Sequence, residues 1–94
     1  MSREEILEAV KKIICYDKNN EYGEPENNFK IIADFWNTYL HGKLQYDSYL
    51  EITGEDVGIM MALFKIGRMT ASEKDDNFLD GIGYLACAME CKGK

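Results

Sequence analysis

Ninety-four residues at 10.8 kDa leave room for one compact domain and exclude a two-domain enzyme. A hydrophobic share of 46% with 30% charged residues and one proline excludes a low-complexity segment. Seventeen acidic against eleven basic residues give a net charge of −6, which repels the phosphate backbone and argues against duplex nucleic acid as a partner.

Met1 to Glu5 carries no basic leader followed by an apolar run, and no stretch approaches the roughly 18 apolar residues that span a bilayer, so a cytoplasmic protein without a membrane partner is expected. Ser2 followed by Glu5 is a capping-box pattern, and Ile6, Leu7, Val10, Ile13 and Ile14 then share one helical face. This predicts a first helix over about residues 3–16. Asp17 to Asn28 is polar and holds Gly23 and Pro25, which predicts a long loop of the kind that carries function in small domains. Asn27 or Asn28 can cap a second helix, whose apolar positions Phe29, Ile32, Phe35, Trp36, Tyr39 and Leu40 repeat every 3.6 residues as far as His41-Gly42.

Leu44, Tyr46, Leu50 and Ile52 alternate weakly, predicting an extended connector with a short hairpin-like element over residues 43–52. Thr53 to Asp56 supplies the next N-cap, and a third helix runs to about Thr70. It is apolar around most of its circumference, so it is either central or part of a subunit interface. Asp75 or Asp76 caps a fourth helix, in which Gly81 and Gly83 each cost about 1 kcal/mol relative to alanine and imply a close neighbour. The whole reads as a single all-α domain over residues 1–94, four-helix bundle-like, with one extended connector.

Chemistry-bearing patterns are few. Three cysteines are an odd number, and Cys87 and Cys91 at i, i+4 spacing read better as small buried apolar groups than as zinc ligands with Cys15 or His41. No phosphate-binding glycine loop and no nucleophile paired with the one histidine is present. Asp76 and Asp80 lie one turn apart on a helix face and can hold Mg²⁺, which takes oxygen ligands and keeps waters for a phosphate to replace. Lys65 and Arg68 end the preceding helix and can reach phosphate oxygens near such a metal. An N-cap and an ordinary surface ion pair would explain the same residues. Tyr22 and Trp36 can stack on a base, although a Trp at helical spacing also suits a core.

The order Glu21-Tyr22-Gly23-Glu24-Pro25-Glu26-Asn27-Asn28-Phe29, then Trp36, Glu55-Asp56-Val57, Lys65-x-x-Arg68 and Asp76-Asn77-x-x-Asp80-x-x-Gly83-Tyr84 resembles a small family of uncharacterised phage and prophage proteins. That family is distantly similar to MazG-like, all-α nucleotide pyrophosphohydrolases. The resemblance implies a MazG-like fold and Mg²⁺-dependent hydrolysis of a nucleoside triphosphate to monophosphate and pyrophosphate, in the host cytoplasm. Asp76 and Asp80 would be catalytic and metal-holding, with Asp56 and Glu21 as further metal ligands. Lys65 and Arg68 would bind phosphate, and Tyr22 and Asn28 would contact the nucleotide. The larger family's E-x-x-E pair on one helix and E-x-x-D pair on another are not reproduced here, since Glu21 and Glu24 fall in the expected loop. Two alternatives stand beside hydrolysis: a non-catalytic nucleotide binder, and an acidic helical adaptor that inhibits a host protein. A homodimer or higher homo-oligomer is expected, because one helix is apolar all round.

Overall fold

The computed structural model describes residues 1–44, 51–71 and 74–93. The chain is all-helical, and among the described residues there is no strand. Helix α1 (Arg3–Lys12) begins at the expected capping box, where Glu5 N–H donates to Ser2 Oγ and Ser2 N–H returns a bond to Glu5 Oε1. It does not stop near residue 16. A π-helical turn over Ile13–Asp17 carries it without a break into α2 (Lys18–Tyr22), closed by the Lys18 N–H bonding to the Ile13 carbonyl. Gly23, at φ 82°, ends this rod in a backbone conformation that glycine adopts without a Cβ penalty.

The long loop expected from Asp17 to Asn28 is therefore reduced to Gly23 and Glu24. Pro25 does not break a helix; it starts α3 (Pro25–Leu44), at a first-turn position where its missing N–H has no intrahelical partner to lose. The cap expected at Asn27 or Asn28 is displaced accordingly. Asn28 instead donates its amide to the Gly23 and Glu24 carbonyls at 3.3 and 3.1 Å, which ties α3 to the end of α2.

The hairpin-like element expected over 43–52 falls in large part on residues 45–50, outside the described residues. Helix α4 (Gly54–Arg68) starts at Thr53 with a second capping box, in which the Asp56 carboxylate takes the Thr53 N–H and hydroxyl at 3.0 Å each. Helix α5 (Asp75–Cys91) has Lys74 at its N-cap with no side-chain bond, so Asp75 and Asp76 sit inside the first turn and not at the cap.

Helices α4 and α5 pack as a close antiparallel pair. A Cβ built on Gly58 would lie 2.6 Å from the Ala88 Cβ and 2.9 Å from the Tyr84 carbonyl, while Gly54 faces Cys91 and Gly81 faces Lys65. One register explains all of these pairings. Phe29 and Ala33 of α3 close the core against Val57, Cys87 and Cys91, and Val57 is fully buried. The rod α1–α2 lies against the other edge of α5, where Gly83 admits Ile14 and Val10; a Cβ there would meet Ile14 at 2.9 Å. Of the two costly glycines of α5, Gly83 thus marks close packing, whereas a Cβ on Gly81 would make only an ordinary contact, 3.9 Å from the Lys65 Cβ. No helix is long and apolar enough to cross a membrane among the described residues.

Candidate functional site: an aromatic groove with a recessed ion pair

The π turn, α2 and the first half of α3 form two walls of a groove of about 570 Å³, floored by α4 and α5. That volume lies within the range of small-molecule sites. An i→i+5 turn absorbs one extra residue and shifts every following side chain round the helix by about one position, and such turns recur at functional sites. Here the turn contributes Ile13 and Ile14 to the groove, and α2 beyond it contributes Lys18, Asn19 and Tyr22. From α3 come Asn28, Ile32 and Trp36, and from the floor Met61, Lys65, Asp80 and Tyr84.

The lining is mostly apolar and aromatic, with one charged pair set low in it. Lys65 Nζ lies 3.0 Å from Asp80 Oδ2, with the two side chains 15% and 31% exposed. Two further ion pairs, Lys12–Asp17 and Lys30–Asp34, lie on the surface. Partial desolvation makes the recessed pair electrostatically stronger than these, and also more costly to disrupt. Lys65 keeps further N–H donors beyond the one directed at Asp80. At the rim, Lys18 Nζ lies 5.7 Å from the centroid of the Tyr22 ring, an attraction between a cation and a π face. The Tyr22 phenol is pushed above its ordinary pKa by its hydrogen bond to Glu21 and by that carboxylate's charge, so it remains a neutral donor at physiological pH.

Five residues singled out in the sequence for chemistry, Tyr22, Asn28, Trp36, Lys65 and Asp80, meet in this groove. Others do not. Arg68 turns away from Lys65 and stacks its guanidinium 5.0 Å from the Phe64 ring centroid. Asp56 is committed to capping α4. Asp76 is exposed in the first turn of α5, and Glu21 engages Tyr22. Among the described residues no group of three or more His, Cys, Asp or Glu side chains is placed to hold a metal ion. The carboxylate set proposed for Mg²⁺ is therefore not assembled within one chain, and Asp80 already faces a cation. Lys18 and Asn19 escaped the sequence reading because their segment reads as loop; the i, i+4 spacing of Lys18 and Tyr22 is the signal that would have found them. None of the three cysteines is in a disulfide; Cys87 and Cys91 are buried and Cys15 is exposed.

Fold and groove together define an all-helical protein with an apolar cleft closed at its base by a lysine–aspartate pair. Over residues 5–92 the chain matches the family described as a domain of unknown function, DUF6378, and it belongs to that family. It is 36% identical over 85 residues to the Gene 55 protein of Mycobacterium phage D29, covering 89% of this chain and 51% of that protein. The Gene 55 protein of Mycobacterium phage L5 is 35% identical over 80 residues, which is 84% of this chain and 47% of its own length. The chain thus spans about half the length of these curated relatives. No solved structure matches it.

Proposed function

We propose that this chain is a nucleotide-binding protein of MazG-like kind, acting in the cytoplasm of a phage host, and that the groove is its nucleotide site. The observation that carries the reading is the convergence of Tyr22, Asn28 and the Lys65–Asp80 pair in one aromatic-walled cleft. Tyr22 and Trp36 offer π faces to a base, and such stacking contributes about 1–3 kcal/mol per base. Asn28 spends its amide hydrogens on the backbone, which leaves its carbonyl oxygen to accept from an exocyclic amine. Lys65 and the exposed Lys18 supply donors and positive charge for phosphate oxygens. Arg68, held over Phe64, has no part in this reading.

The resemblance to pyrophosphohydrolases would add Mg²⁺ and hydrolysis. The donor set within one chain does not fit that metal: only Asp80 of the proposed carboxylates lines the groove, and it is paired. No hydrolytic step is therefore derived from it, and binding is the reading favoured. The test is a panel of nucleoside mono- and triphosphates, with and without Mg²⁺, followed by thermal denaturation and by release of pyrophosphate. Binding without turnover raises the melting temperature and yields no pyrophosphate. Turnover would add the hydrolytic function, and no shift with any nucleotide would refute the assignment. Tyr22→Ala removes an exposed ring and should reduce the shift without unfolding the protein.

A further inference from the structure

The rod α1–α2 meets α5 at Gly83, where Ile14 Cγ2 lies 2.9 Å from the position of a Cβ and Val10 also approaches. A glycine at such a crossing lets two backbones come nearer than two full side chains allow. Cys15 follows Ile14 and is the central residue of the π turn, while Cys87 lies one turn beyond Gly83 on the same face of α5. Both cysteines accordingly line one cavity of about 200 Å³, in the company of Asn19, Glu24, Pro25 and Glu90. Cys15 is exposed and Cys87 buried, and Cys15 is near enough for its charge to oppose ionisation of Cys87. Among the described residues no third Cys, His or carboxylate completes a metal site with them, which leaves the pair the chemistry of two thiols. Neither belongs to the residues assigned to a nucleotide.

We propose that Cys15 and Cys87 are a redox-active pair, which thiol–disulfide exchange with a low-molecular-weight disulfide closes into a bond fastening the π turn to α5. The Cys15 thiolate attacks one sulfur of that disulfide, forming a mixed disulfide and expelling the first small thiolate. The Cys87 thiol then gives its proton to solvent, and its sulfur attacks that of Cys15 and expels the second. Two cysteine thiols lose two electrons and two protons, and the small disulfide becomes two thiols. The order follows from access and ionisation. Cys15 is exposed, whereas burial first, then Glu90 and the other cysteines, push Cys87 up to about 11. The bond needs Cα atoms within about 7 Å of each other, and the glycine crossing at Gly83 brings the backbones together one turn away. Cys91 faces Gly54 of α4 and takes no part. The bond would join the first helical rod to the last helix, positions far apart in sequence whose freedom in the unfolded chain it restrains.

The test is equilibration of the full chain with oxidised and reduced glutathione in native buffer, followed by acid quench, alkylation and peptide mass spectrometry. The wild type is expected to lose two hydrogens in a Cys15–Cys87 bond within one chain, with Cys91 alkylated. Cys91→Ala should close the same bond, and Cys15→Ser, which alters an exposed side chain, should leave Cys87 a thiol. A bond that suits the fold favours the fold in return, so its equilibrium constant against glutathione should be higher in native buffer than in denaturant, by about tenfold. The oxidised chain should correspondingly melt at a higher temperature than the reduced one. Reaction that stops with glutathione on Cys15, a bond that uses Cys91 or joins two chains, or an equilibrium constant no higher in native buffer than in denaturant would overturn the proposal.

Discussion

Asn37 makes two hydrogen bonds that no helix supplies. Its amide exchanges both with the backbone of Ile52, at 2.8 and 2.9 Å, and so pins the chain entering α4 to the side of α3. Asn37→Ala leaves that N–H and carbonyl without their partners, and should cost about 2 kcal/mol, read as a lower denaturant midpoint at an unchanged slope. A second residue-scale prediction concerns Cys87, whose thiol is pushed up to about 11, chiefly by burial and then by Glu90 and the neighbouring cysteines. The unfolded thiol ionises near 9, so between about pH 9 and 11 the unfolded state binds fewer protons than the folded one and stability falls as pH rises. Below pH 9 the contribution is fully present. Cys87→Ala should flatten this alkaline decline in a pH series of melting temperatures, and a thiol reagent at neutral pH should label Cys15 well before Cys87. At this scale Lys65 and Asp80 were legible from the sequence as a cation and a carboxylate on neighbouring helices. Their pairing was legible too, as a surface ion pair; its recess in a groove was not, and neither was the divergence of Arg68: three residues along a helix leave about 60° between side chains, enough to put one in the seam and the other over Phe64.

Among the elements, the seam between α4 and α5 depends on small residues. Gly58→Ala would drive a methyl group into Ala88 and the Tyr84 backbone, and backbone cannot swing aside as a long side chain can. The expected cost is about 2–3 kcal/mol. Gly67, in the same helix, has nothing within 4 Å of a Cβ and no positive φ, so Gly67→Ala should stabilise the protein by about 0.5–1 kcal/mol. Opposite shifts in melting temperature from the same chemical change check the packing directly. The helix faces, the Ser2–Glu5 capping box and the Thr53 N-cap could be read from spacing, since they depend on residues close in sequence, and the close neighbour expected at Gly83 is present while that at Gly81 is not. The segment 17–28 was misread for a physical reason. Its polar composition records solvent exposure, and a π turn has no signature in apolar periodicity; Pro25 is compatible with either a loop or a helix start, and tertiary packing decides.

As a whole the molecule is a thin assembly of rods, with extents of 48 × 30 × 21 Å, open on both broad sides. One side is the exposed apolar face of α4–α5. The other carries the groove, where aromatic walls surround a single ion pair. The net charge of −6 fits a ligand smaller than a nucleic acid, held by local lysines against an overall repulsive field, so affinity for a polyanionic nucleotide should rise with added salt up to the point where the lysine contacts are themselves screened. Trp36 is the one tryptophan of the chain and lines the groove, so its emission reports occupancy without a label. Titration of the protein with nucleoside triphosphates, excited at the red edge of tryptophan absorption, should give a saturable change with at least one of them at a dissociation constant below about 1 mM, weakened in Tyr22→Ala. Emission that stays constant across the whole panel would contradict the groove as a nucleotide site.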